Sequence, residues 1–247
     1  MIVLAGAMGW GEEFRAYTGQ HWAALGVCTL AIVATAAMGV RVRGSRYESA
    51  FRIWLGWTVL IYKVAETVYD ALPHRFEVAS SLPLQFCDLV AFAAGGALLV
   101  RSRVYRVLLY FWGVGLSPMA VMMPTLRVGW FHADYWLFWI SHALVLCAAG
   151  YDIVARGYRP TLRDLGSACA WSLVYLAVVM GVNAALDVNY GFVGNPRTGS
   201  PAAIEQIGPW PFRVLPLALC VGLLFHGLYA VWRLPRWLGL WGRGAAD

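Results

Sequence analysis

Seven runs of about 20 apolar residues constrain this chain more than any other feature, because a helix of that length crosses roughly 30 Å of hydrocarbon. They occupy residues 21–40, 53–70, 82–100, 104–123, 131–149, 165–185 and 209–232. Lipid offers the backbone no hydrogen-bond partners, so each run predicts a helix and not a strand. Composition agrees: 60% of the residues are hydrophobic and 13% charged, with a mean hydropathy of +0.62, whereas an average soluble domain is roughly a quarter charged. The expected architecture is all-α, one multi-pass domain over residues 1–247 in a cell membrane, with seven transmembrane helices and the termini on opposite sides.

Arginine sets the expected orientation, since cytoplasmic connections carry the excess of Arg and Lys. Thirteen arginines (41, 43, 46, 52, 101, 103, 106, 156, 159, 163, 233, 236 and 243) fall on one side, against five (15, 75, 127, 197 and 213) on the other. The N-terminus is therefore expected outside and the C-terminus in the cytoplasm. The net charge of +6 does not point to nucleic acid, because the basic residues are dispersed between apolar runs and form no stripe. Glu12 and Glu13 precede the first run with no basic n-region, so no cleavable signal peptide is expected. The cysteines at 28, 87, 147, 169 and 220 lie in apolar runs without CxxC spacing, so neither a disulfide framework, a metal site nor a cofactor is indicated. The long connection 187–208 reads as a lid or a linker.

Ionisable groups inside hydrocarbon are costly and are the default pointers to function. The second run carries Lys63, Glu66 and Asp70 at spacings that share a helical face. Two readings stand there, a structural Lys63–Glu66 ion pair or a group that handles substrate. The third run opens with Gln85, Cys87 and Asp88, an amide, a thiol and a carboxyl within one turn. A thiol becomes a nucleophile when a base can take its proton, and His142 in the fifth run is the nearest buried imidazole in the sequence. Asn183, Asn189 and Tyr190 are candidate polar groups on the same side. Cys28, Cys147, Cys169 and Cys220 read as small core hydrophobes. Counted from the run boundaries, Cys87 is about 7 Å deep and His142 about 16 Å, an imperfect match.

Several segments together resemble the YwaF-type family of bacterial integral membrane proteins, relatives of the mammalian transmembrane protein 164. They are Tyr17-Thr18-Gly19-Gln20-His21, Leu82-Pro83-Leu84-Gln85-Phe86-Cys87-Asp88, Tyr110-Phe111-Trp112-Gly113, Ser141 with His142, Asn189 with Tyr190, and Gly208-Pro209-Trp210-Pro211. The resemblance implies a lipid acyltransferase or hydrolase of the bacterial plasma membrane, acting on a phospholipid or another acyl lipid, with Cys87 as nucleophile and His142 as its partner. Gln85 stands where the family pattern has histidine. Gln85, Asp88, Asn183, Asn189, Tyr190, Lys63, Glu66 and Asp70 are the candidate substrate-binding residues. Two other readings compete: a solute or ion transporter built on Lys63, Glu66, Asp70 and Asp88, and a non-catalytic lipid-binding bundle. A retinal protein is not indicated, because the seventh run has no lysine. The oligomeric state is not legible.

Overall fold

The computed structural model describes residues 11–100, 102–195 and 207–233. Seven long helices form among them: α1 (Gly19–Val42), α2 (Glu48–Asp70), α3 (Phe86–Leu99), α4 (Arg103–Met122), α5 (Ala133–Val154), α6 (Leu162–Leu186) and α7 (Val214–Val231). Each coincides with one apolar run, and the protein is all-α. Five of them, α1 and α4 to α7, are long and apolar enough to cross a membrane. The other two differ for separate reasons. Helix α2 carries Glu48, Arg52, Lys63, Glu66 and Asp70, and α3 has only 14 residues. At 1.5 Å per residue α3 is about 21 Å long, short of the roughly 30 Å of a hydrocarbon core.

The distribution of side chains inverts that of a protein in water. The interior around α3 is lined with small residues, Ala91, Ala93, Ala94 and Ala97, while Val27, Leu30 and Val33 of α1 and Leu215, Leu219 and Leu223 of α7 point outward. Small residues let helices approach closely where no aqueous hydrophobic effect drives them together. Gly56 of α2 and Gly95 of α3 mark that approach. A Cβ on Gly95 would lie 2.3 Å from the Leu60 side chain, and one on Gly56 would lie 2.8 Å from Leu99. Helix α4 is interrupted by a π-helical segment, Leu109–Val114, and contains Pro118 one turn later. The segment 11–15 runs back along the connection before α5, where Phe14 N donates to Arg127 O (2.8 Å) and Gly129 N to Glu12 O (2.9 Å).

One end of the bundle gathers the arginines that the sequence marks as topological, and here they also bind. Arg103 forks onto both oxygens of Asp164 (2.7 and 2.6 Å). Asp152 receives Arg106 Nε (3.0 Å) and Arg156 Nη1 (2.9 Å). Arg156 and Arg52 donate to the carbonyls of Ala97 and Leu98, which lie in the last turn of α3 and have no intrahelical partner. Arg101, Arg197, Arg236 and Arg243, and residues 196–206 of the long connection, lie outside the described residues.

Candidate functional site at the start of the third helix

The third apolar run begins at residue 82, but its helix begins at Phe86. Gln85 is the N-cap, in extended conformation, and forms a capping box with Asp88. Asp88 Oδ2 accepts from Gln85 N at 3.0 Å, and Asp88 N donates to the Gln85 backbone carbonyl at 3.0 Å. This satisfies two donors at the helix start. It also places the Asp88 carboxylate at the positive end of the helix dipole.

Lys63 of α2, 5% exposed, donates to the other oxygen of Asp88 and to Glu66 Oε2 (3.0 Å). Glu66 Oε2 in turn accepts from Ser141 Oγ of α5 at 3.0 Å. The spacing of Lys63 and Glu66 therefore does produce an ion pair, and Asp88 joins it from another helix. A single ammonium thus ties α2, α3 and α5 together. Asp70 stands apart from this cluster. It is 3.9 Å from Arg75 and borders an open depression with His74, Glu77, Ser80 and Ser81.

Beside the ion cluster, Cys87 and Val90 of α3, Ser117 of α4, and Ser141, His142 and Val145 of α5 line one narrow crevice. It is partly open and, with these side-chain positions, too tight to hold a water molecule. Cys87 is half-buried and His142 is 7% exposed. The His142 Nδ1 donates to Phe138 O at 2.7 Å. A carbonyl can only accept, so in the neutral ring the lone pair is on Nε2, which has no partner among the described residues.

The depth mismatch expected from the sequence disappears for a geometric reason. Cys87 is the second residue of α3 and His142 the tenth of α5, which places His142 about 13 Å along its helix. Because α3 is short and starts late, its first turn lies alongside the middle of α5. The irregular residues 82–85 leading into it are half-buried and held by hydrogen bonds with Tyr190, Tyr175 and Gly191, and such backbone is tolerated where protein satisfies it.

Asn183, Asn189 and Tyr190 hold that backbone and do not line the crevice. Tyr190 is fully buried, and its phenol donates to Val78 O (2.6 Å) and accepts from Leu82 N (3.0 Å). Asn183 binds both backbone groups of Tyr190, donating to its carbonyl (2.9 Å) and accepting from its N–H (2.8 Å). Gln85 Oε1 accepts from Gly191 N at 3.1 Å. Gly191 has φ +63°, and a Cβ there would lie 2.6 Å from the Tyr175 hydroxyl, so glycine is required for this close approach. Asn189 Oδ1 accepts from Gly194 N (2.9 Å), and Arg213, 1% exposed, donates to Phe192 O (3.0 Å) and Gly194 O. The described part of the long connection is therefore a fitted plug tied to the start of α3. Sequence reasoning missed Ser117, Tyr175 and the buried Arg213. Of these only Ser117, a hydroxyl directly before Pro118 in an apolar run, carried a signal.

No curated protein and no solved structure matches the chain. One family model does, the TMEM164 family, over residues 16–230.

Proposed function

Because the chain belongs to the TMEM164 family, we propose that it is a membrane enzyme that moves acyl groups from a lipid ester to an acceptor hydroxyl or to water, with Cys87 as nucleophile. One observation carries this reading: Cys87 and His142, on separate helices, line the same crevice, and the free nitrogen of the imidazole is its Nε2. His142 Nε2 takes the thiol proton as Cys87 Sγ bonds to the ester carbonyl carbon. The tetrahedral adduct collapses, the ester C–O bond breaks, and His142 returns the proton to the departing lysolipid oxygen. The acceptor hydroxyl then loses its proton to His142 and attacks the thioester, and the thiol is regenerated. On this reading Gln85, Asp88, Asn183, Asn189 and Tyr190 position the helix that carries Cys87. Lys63 and Glu66 align it with α5, while Asp70 stands apart.

The transport reading has less support, because Lys63, Glu66 and Asp88 satisfy one another in a closed network and leave no open ion site. The direct experiment gives the purified protein in detergent micelles p-nitrophenyl octanoate, an activated acyl ester. Intact mass and peptide mapping are expected to find the octanoyl group on Cys87. Acylation spread over Cys28, Cys169 and Cys220 with none at Cys87 removes the nucleophile assignment.

Seven crossings, with the N-terminus outside and the C-terminus in the cytoplasm, are part of the same proposal. Seven helices in succession and the arginine asymmetry support it. For α2 and α3 it requires that charge and short length be absorbed by protein contacts, which the ion cluster and the plug supply. In intact cells a membrane-impermeant maleimide is expected to label Ser80→Cys and to spare Ser45→Cys. Both residues are exposed, and the reverse pattern inverts the topology.

A further inference from the structure

Serine and threonine inside a helix ordinarily turn the hydroxyl back onto the carbonyl four residues earlier. Thr35, Ser49 and Ser167, none of them buried, make no such bond, but among the described residues four do: Thr29 to Leu25 O, Thr58 to Trp54 O, Thr67 to Lys63 O and Ser172 to Ala168 O, all within 2.8–2.9 Å. Ser117 does not. It is 5% exposed, and its Oγ has no hydrogen-bond partner among the described residues. The oxygen itself is not sealed from solvent, so it is an uncommitted donor that a bound group can use. Two features of α4 surround it. The π-helical segment Leu109–Val114 ends three residues before Ser117, and such segments re-aim the residues that follow and recur at functional sites. Pro118 comes directly after and lacks an N–H for the helical ladder. Ser117 lines the same crevice as Cys87 and His142.

Resting on the acyl-transfer reading above, we infer that Ser117 is the side-chain donor to the carbonyl oxygen of the acyl group, the oxygen that becomes the oxyanion when Cys87 attacks. As the Sγ–C bond forms, the carbonyl π pair moves onto oxygen, and a preorganised donor at that position lowers the barrier. When the adduct collapses, that pair re-forms the carbonyl and the ester C–O bond breaks, its oxygen leaving with the proton that His142 holds. The other polar side chains of the neighbourhood are spent. Ser141 Oγ donates to Glu66, the Tyr190 phenol donates to Val78 O, and Asn183 holds Tyr190. Cys87 occupies the second position of α3, where backbone N–H groups lack intrahelical acceptors and the helix dipole favours negative charge. That N–H is the natural second donor.

The test compares wild type, Ser117→Ala, Ser117→Thr and Cys87→Ser in detergent micelles. It measures nitrophenolate release from p-nitrophenyl octanoate, the alkylation rate of Cys87 by iodoacetamide, and the melting temperature. Alkylation forms no oxyanion, so it reports on the thiol alone. Ser117→Ala is expected to slow acylation about 100-fold while alkylation and melting temperature stay at the wild-type value. Ser117→Thr, which keeps the hydroxyl, is expected to recover most of the rate. The inference is overturned if Ser117→Ala acylates at the wild-type rate, or if alkylation or melting temperature falls in parallel with acylation, which is the signature of packing. If wild type is not acylated at Cys87, or Cys87→Ser releases nitrophenolate as fast as wild type, the acyl-transfer reading fails and takes this inference with it. Cys87 dependence without Ser117 dependence removes the inference alone.

Discussion

Cys87→Ser is expected to reduce acyl turnover on the order of 10³-fold or more, and His142→Ala by about 10²–10⁴-fold, with the fold unchanged in both. The exchange of sulfur for oxygen is nearly isosteric, and Cys87 sits in the first turn of α3, where the capping box and the Lys63 bond hold the backbone independently of its side chain. A hydroxyl is a far weaker nucleophile than a thiolate at the same place. The two losses should not add, because the imidazole acts only through the thiol. The double variant Cys87→Ser with His142→Ala is expected to be no slower than the worse single variant. Cys147→Ser is the control: Cys147 is buried on α5 but does not line the crevice. Steady-state release of fatty acid or transfer to a lysolipid in nanodiscs measures all four. Full activity in Cys87→Ser, or strict additivity of the two single losses, means that the residues do not form one catalytic unit.

Much of the fold was legible because a membrane helix is written in the sequence as an uninterrupted apolar run. The boundaries were less so, and the misses have local causes. Helix α2 starts at Glu48, before its apolar run, because polar first turns are compatible with a helix N-terminus. Helix α6 starts at Leu162 because Thr161 and Asp164 form a capping box. Helix α3 starts late because the residues before Gln85 are held in turns by Tyr190 and Tyr175, which lie more than 90 residues away in the chain. No local signal encodes that contact. It is also why Cys87 and His142 seemed mismatched in depth when each was counted from its run.

The candidate site divides along the same line. Lys63 and Glu66 could be paired from their spacing, since three residues on a helix define neighbours. That Asp88 would complete the pair required knowing that α2 packs on α3, which the small residues Gly56 and Gly95 permit. Asn183 and Tyr190 were recognisable as polar groups near the site, but whether such groups face a substrate or a backbone is decided by tertiary placement. Ser117 carried a signal as a hydroxyl before Pro118, but not its placement, because a π-helical segment precedes it and an apolar run does not reveal such a change of register.

Lys63→Met is expected to destabilise the protein by about 3–5 kcal/mol, the usual consequence of removing one partner from a buried ion pair. Glu66 Oε2 and Asp88 Oδ1 both bind the same ammonium, so without it two carboxylates face each other with no cation between them. In a thermal melt in detergent the loss corresponds to a drop on the order of 10 °C. Neutralising one acid should undo part of the damage, and Lys63→Met with Glu66→Gln is expected to melt above Lys63→Met alone. The double-mutant cycle then reads the coupling directly. Added salt should not rescue the single variant, because screening acts weakly on buried charges. The same measurement separates the two roles open to this cluster. A lysine that binds a transported solute is not required for the integrity of the bundle, so its loss would abolish transport and leave the melting temperature near wild type. A lysine that ties α2 to the start of α3 is required for both. Its removal is expected to lower the melting temperature and to slow acylation of Cys87 together, because Asp88, the residue it holds, lies next to the thiol in the first turn of the helix. An unchanged melt for Lys63→Met would remove the structural role, and with it the claim that this cluster sets the alignment of Cys87 with His142.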